Sequence, residues 1–136
     1  MKKLLLMISV LIYAASIGYS QVTTLWEKSV TAGTKPIWET GSTTRGISYG
    51  LVGANNRLFV VNRNAAFGGK QIFVYNAVTG DSVGKLDTTG ISGGTLIVND
   101  VEVSSDGKIF VCNLAAGGFF KVYWYDNEAS APLTVI

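Results

Sequence analysis

Short apolar runs separated by clusters of Gly, Asn, Asp, Ser and Thr follow the first twenty residues of the chain. The runs lack the 3.6-residue spacing of an amphipathic helix, and this pattern predicts strands joined by turns. Asp106-Gly107 lies between two such runs, and Gly accepts the positive φ of a tight hairpin. The predicted strands are Leu25–Val30, Gly46–Tyr49, Arg57–Asn62, Gln71–Asn76, Ser82–Asp87, Ile97–Val103, Lys108–Asn113, Lys121–Asp126 and Leu133–Ile136.

A unit of four predicted strands occurs twice. Arg57–Asn62 (RLFVVN) matches Lys108–Asn113 (KIFVCN) 51 residues later, and Ile72–Asn76 (IFVYN) matches Val122–Asp126 (VYWYD) 50 residues later. The two middle strands of each unit are almost continuously apolar, which indicates burial on both faces, whereas the fourth strand is more polar. Four-stranded antiparallel units that repeat about every 40–50 residues are typical of β-propeller blades.

The predicted fold is therefore all-β, with antiparallel four-stranded blade repeats of an incomplete β-propeller. Residues 46–91 form the first blade repeat, and residues 92–136 form the second, which stops within its outer strand. Residues 21–45 are predicted to form a loop and an N-terminal closing strand, because Trp26–Gly33 weakly matches Val83–Gly90. Closed propellers need about 4–8 blades. We therefore expect an N-terminal fragment of a longer protein or, if the chain is complete, self-association into one ring.

Two blades alone would leave flat apolar faces without a neighbour. A large exposed apolar patch is rare on a soluble monomer, which supports the same two expectations. The residues expected on these faces are Phe59, Val61, Phe73, Phe110 and Trp124.

Three segments resemble blades of secreted bacterial β-propellers: Thr43–Tyr49 (TTRGISY), Leu58–Arg63 (LFVVNR) and Ile72–Gly80 (IFVYNAVTG). The last one is similar to the strand and Thr-Gly turn of the YVTN and quinoprotein-like propeller superfamily. The stretch 24–136 as a whole resembles an uncharacterised domain family of secreted bacterial proteins. This resemblance implies longer proteins, many with a C-terminal sorting domain for outer-membrane export, and it implies almost nothing about activity.

Residues 1–20 have the pattern of a secretory signal peptide. Lys2 and Lys3 precede the apolar stretch Leu4–Ile17, and small residues occupy the positions one and three residues before Gln21. The apolar stretch is shorter than the roughly 20 residues of a membrane span. We therefore expect a bacterial chain that is secreted, periplasmic or at the cell surface, without a membrane span after cleavage.

Charge and composition exclude several classes of binding and catalytic site. The formal net charge of +2 is carried by Lys2 and Lys3, and the remainder is neutral, so nucleic-acid binding is not expected. The sequence has one Cys and no His, which excludes a zinc finger or a Ser-His-Asp triad within this chain. Gly90–Gly94 fits G-x-S-x-G but lacks the His and the following helix. We predict no catalytic residue, metal ligand or cofactor, and Cys112 is expected to be a small buried apolar residue.

Four residues are predicted to contact a ligand. Arg45 precedes a predicted inner strand, and Asn99 and Asp100 occupy the matching place in the second repeat, where propeller loops rim the channel mouth. Trp38 lies in a loop with Pro36 and is the aromatic residue that we expect to be exposed. The alternative is that Arg45 and Asp100 make polar contacts between blades.

The sequence predicts a secreted, non-enzymatic propeller module that presents a binding surface for a protein or a glycan, because rigid strands with variable loops suit recognition. Two alternatives remain open. The chain could belong to an extracellular glycan hydrolase or lyase whose catalytic residues lie outside it, or it could be a purely structural module of a cell-surface protein.

Overall fold

The computed structural model describes residues 23–136 and contains two four-stranded antiparallel sheets, each with its strands in chain order. The predicted signal peptide lies outside the described residues. The all-β prediction is confirmed, and each of the eight strands predicted within the two repeats is formed. Sheet 1 contains β1 (Thr44–Val52), β2 (Asn55–Asn62), β3 (Gln71–Asn76) and β4 (Ser82–Lys85); sheet 2 contains β5 (Leu96–Val103), β6 (Ile109–Leu114), β7 (Val122–Tyr125) and β8 (Leu133–Thr134).

Within each sheet, strands that follow one another in the chain are neighbours, and the β2–β3 connection contains a short 3-10 helix, Ala65–Phe67. The β5–β6 turn follows the Asp-Gly prediction: Gly107 has φ +82°, and its N–H donates to the Ser104 carbonyl at 2.9 Å. The Ser104 hydroxyl also accepts a hydrogen bond from the Lys108 N–H. The turn is therefore closed by both backbone and side-chain bonds, which fixes the register of the hairpin.

The two sheets stack face to face around the main hydrophobic core. Two buried tyrosines also hold the linker between the sheets, since Tyr125 Oη donates to the Asp87 carbonyl at 2.7 Å and Tyr123 Oη donates to the Ser92 carbonyl at 3.0 Å. These bonds satisfy hydroxyls that would otherwise be costly to bury. The core is formed by Val52, Phe59, Val61, Ile72, Val74, Leu86, Ile91, Val98, Val101, Ile109, Val111, Tyr123 and Tyr125.

Equivalent faces of the two sheets point in the same direction, so opposite faces of the repeat unit meet in the core. Phe59 points towards sheet 2 and is fully buried, whereas its counterpart in the repeat, Phe110, points away from sheet 1 and is 37% exposed. Val111 instead points towards sheet 1 and is buried. The predicted burial on both faces is therefore wrong for β6 and β7, and the predicted exposure of Phe59 and Val61 is also wrong, because sheet 2 covers them.

The segment before β1 packs on the other face of sheet 1. The strand predicted over Leu25–Val30 is not formed, and residues 23–43 are irregular. The chain instead turns at Gly33, which has φ +67° and whose N–H donates to the Val30 carbonyl at 3.1 Å. A lone strand needs a sheet edge to pair with its backbone groups, and this segment is anchored by side chains instead.

Two tryptophans provide those anchors. The Trp38 ring stacks on Phe73 with centroids 4.3 Å apart and planes 10° apart. The Trp26 indole Nε1–H donates to the Ala77 carbonyl at 2.9 Å, and its ring lies directly against Gly80. The predicted exposure of Trp38 is therefore wrong: it is 9% exposed, because it covers the apolar face of sheet 1.

Candidate functional site

The first strands of the two sheets, β1 and β5, lie side by side. A Cβ atom on Gly46 would be 2.6 Å from Asp100 Cα, and a Cβ on Gly50 would be 2.5 Å from Val103 Cβ. Two glycines of β1 therefore permit an approach that any other residue would block. A hydrogen bond reinforces this contact, since Ser48 Oγ donates to Glu102 Oε2 at 3.0 Å.

Three of the four predicted ligand contacts lie along this pair of strands. Arg45 directly precedes Gly46, which contacts Asp100, and Asn99 is the neighbour of Asp100. The pairing register shifts at both places, and such irregularities redirect side chains. Arg45 and Asp100 are exposed, whereas Asn99 is half-buried. Trp38 lies apart from them, on the face of sheet 1 that points away from sheet 2.

Polar groups concentrate beside Arg45. Burial lowers the pKa of Arg63 below its ordinary value, and the positive charge of Arg45 lowers that pKa further. Thr44, Asn62 and Gln71 form a row across β1, β2 and β3 at this end of sheet 1. Buried atoms without a hydrogen-bond partner occur here at Thr44 Oγ1, Asn62 Nδ2, Arg63 Nε and Gln71 Oε1.

A cavity of about 240 Å³ lies between the N-terminal segment and sheet 1, and we call it the tryptophan cleft. Its polar groups are at Lys28, Glu39 and Thr44. Burial raises the pKa of Tyr75 above its ordinary value, and a hydrogen bond with Trp38 partly opposes this shift. The principal apolar lining residues are Trp26, Pro36, Trp38, Ile47, Leu58 and Tyr75.

On the side away from sheet 1, sheet 2 carries large apolar side chains that nothing else among residues 23–136 covers completely. We call this surface the open face and define it by Phe110, Cys112, Val122 and Trp124, which are neighbours in the β6–β7 register. It contains a depression of about 100 Å³, which Asp100 and Glu102 of β5 also line. At one end the Lys108 ammonium lies 5.7 Å from the Trp124 ring centroid, within cation–π range.

Cys112 lies within the open face as a free thiol that is half-buried, so the residue predicted to be buried is only partly so. Burial raises the pKa of this thiol above its ordinary value, and the negative charge of Asp100, its partner across β5 and β6, raises it further. A thiol in this setting is a poor nucleophile at neutral pH, because the thiolate is the reactive form.

Two acidic residues near the end of β7 make ion pairs. Asp126 pairs with Lys108 at the edge of the open face. Glu128 accepts two hydrogen bonds from the Arg57 guanidinium, at 2.8 and 2.7 Å, and so connects the loop after β7 to sheet 1. Arg57 and Glu128 are 71 positions apart, so a local sequence pattern could not predict this bond.

Among residues 23–136, no cluster of three or more His, Cys, Asp or Glu side chains is placed to hold a metal ion. Over the same range, no helix has the length and apolar character needed to cross a membrane.

Comparisons with protein-family models, with curated proteins and with solved structures found no match. The resemblance to secreted propellers therefore stays a prediction from the sequence.

Proposed function

We propose that this chain is a secreted, non-enzymatic binding module built from β-propeller-type blades, and that the open face is its protein-binding surface. One observation carries the proposal. The face of sheet 1 that corresponds to the open face is completely covered by sheet 2, whereas no other part of residues 23–136 covers the open face itself completely.

The two faces correspond residue by residue through the internal repeat. In sheet 1 these positions are fully or almost fully buried, whereas in sheet 2 they are half-buried or exposed. The same-sense stacking that produces this difference is the arrangement of consecutive propeller blades, and it supports that interpretation of the sheets. The corresponding pairs are Phe59 and Phe110, Val61 and Cys112, Ile72 and Val122, and Val74 and Trp124.

The partner that this surface fits is another β-sheet. The open face carries a Phe and a Trp, and large aromatic residues often dominate binding energy at interfaces. Sheets pack face to face about 10 Å apart. We propose a second copy of this chain as the partner, with the two open faces in contact across a two-fold axis, since self-complementary dimers are the commonest assemblies.

Sedimentation velocity of the purified chain over a wide concentration range tests this proposal. We expect a concentration-dependent dimer. We expect Phe110→Glu to shift it to monomer, because the substitution removes an aromatic contact and places a second negative charge beside Glu102, the cross-strand neighbour of Phe110. Phe119→Glu is the matched control, because Phe119 is 84% exposed and lies outside the open face.

Two results would contradict the proposal. A chain that is monomeric at every concentration contradicts it, and so does equal loss of dimer in Phe119→Glu and Phe110→Glu. Phe110 is already 37% exposed, so its variant should fold, and a thermal melt of each protein checks this.

A further inference from the structure

We propose that the tryptophan cleft binds one neutral pyranose ring, as a free sugar or as the terminal residue of a glycan. The cleft lies against the face of sheet 1 that points away from sheet 2, whereas the open face lies on the far side of sheet 2. The site is therefore independent of the proposed dimer, and each can fail without the other.

The size of the cleft selects a small ligand. Its volume is about 240 Å³. Sites for drug-sized ligands span about 300–1,000 Å³, so this cleft has room for a single six-membered ring and not for a larger cofactor.

The aromatic lining selects a ligand with an apolar face. Trp26, Trp38 and Tyr75 all line the cleft, and Trp26 is the most exposed of the three, since Trp38 and Tyr75 are 9% and 6% exposed. An aromatic ring carries partial negative charge on its faces, which attracts the polarised C–H groups on the face of a pyranose.

The two indoles are held in place before any ligand arrives. The stacking on Phe73 fixes Trp38, and the hydrogen bond to the Ala77 carbonyl fixes Trp26. Little ordering entropy is then lost on binding, which favours affinity for a small ligand.

The rim selects a neutral, hydroxyl-bearing ligand. Lys28 supplies a hydrogen-bond donor and Glu39 an acceptor, and a sugar hydroxyl can accept from one and donate to the other. Glu39 also lies 3.4 Å from the Lys35 ammonium. An anionic ligand would meet the Glu39 carboxylate and a cationic one would meet the Lys28 ammonium. The two charges that line the cleft cancel, which favours a neutral molecule.

The indole N–H resonances in nuclear magnetic resonance spectra of the ¹⁵N-labelled full chain give a direct test, because the sequence has three tryptophans. The probes are the methyl β-glycosides of glucose, galactose and N-acetylglucosamine, each titrated separately. We expect saturable shifts of the Trp26 and Trp38 resonances with at least one glycoside. Trp124, on the open face, is the internal control and should not shift.

Substitutions then locate the contacts. Trp26→Ala removes one wall and should weaken binding at least tenfold, which corresponds to about 1.4 kcal/mol. Trp124→Ala is the matched control and should bind as the unsubstituted chain does. Glu39→Gln keeps the shape of the rim and should weaken binding to a smaller extent, and it serves as the second variant if Trp26→Ala fails to fold.

Three results would overturn the proposal. One is the absence of a saturable Trp26 or Trp38 shift with all three glycosides. Another is equal or tighter binding of cyclohexanol, which would indicate an apolar ligand. The third is an equal shift of Trp124, which would indicate unspecific contact with aromatic side chains.

Discussion

At the residue scale, the reactivity of the Cys112 thiol depends on its surroundings in the open face. Its thiol pKa is raised by burial and by the nearby Asp100 carboxylate. A raised pKa leaves less thiolate at a given pH, so alkylation of this thiol should be slow.

The Asp100→Asn substitution tests this account of the thiol. Loss of the negative charge should lower the pKa of Cys112, so that more thiolate is present at pH 8 and iodoacetamide reacts faster. The measurement is the pH profile of the alkylation rate at low protein concentration. The Asp106→Asn variant, altered in the exposed β5–β6 turn, is the control and should keep the original profile. A profile for Asp100→Asn that is unchanged or moved to higher pH would refute the assigned role of Asp100.

At the element scale, the close approach of β1 and β5 decides how the two sheets meet. The repeat in the sequence predicted two similar units. Nothing in the local sequence around the glycines of β1 indicates that they allow this contact. Gly46 is recognisable as structurally required only when Asp100, which is distant along the chain, is placed against it.

We predict that Gly46→Ala destabilises the fold by about 1–3 kcal/mol, the usual cost of overpacking. A Cβ at this position would meet the backbone of Asp100, which cannot rotate away as a side chain can. The gain of about 0.4–1 kcal/mol from a stiffer unfolded chain is smaller. Urea denaturation measures the difference, with Gly117→Ala as control because no atom lies within 4 Å of a Cβ there. Equal stability of Gly46→Ala and the unsubstituted chain would show that the strands are not in such close contact.

The N-terminal segment marks the limit of pattern-based prediction at this scale. Strand periodicity correctly located all eight paired strands, because each pairs with a neighbour nearby in sequence. The predicted strand over Leu25–Val30 failed because its apolar residues have no adjacent strand to pair with. The role of Trp26 and Trp38 as a cover for sheet 1 depends on tertiary contacts, which a local pattern does not contain.

At the scale of the whole molecule, the two stacked sheets have two outer faces, and these faces differ in how far they are covered. The N-terminal segment packs on the outer face of sheet 1, and the outer face of sheet 2 is open. The sequence predicted that apolar faces would lack a neighbour and correctly included Phe110 among the exposed residues. It could not assign Phe59 to the buried interface, because the repeat alone does not say which face of each sheet meets the other.

Cross-linking through Cys112 tests the central claim most directly, because it is the single cysteine of the sequence and lies within the open face. Face-to-face pairing across a two-fold axis brings the two Cys112 thiols together. A short bis-maleimide should therefore give a covalent dimer in the unsubstituted chain and almost none in Phe110→Glu. If Cys112 reacts fully with the reagent while every product stays monomeric, the open face does not bind a second copy.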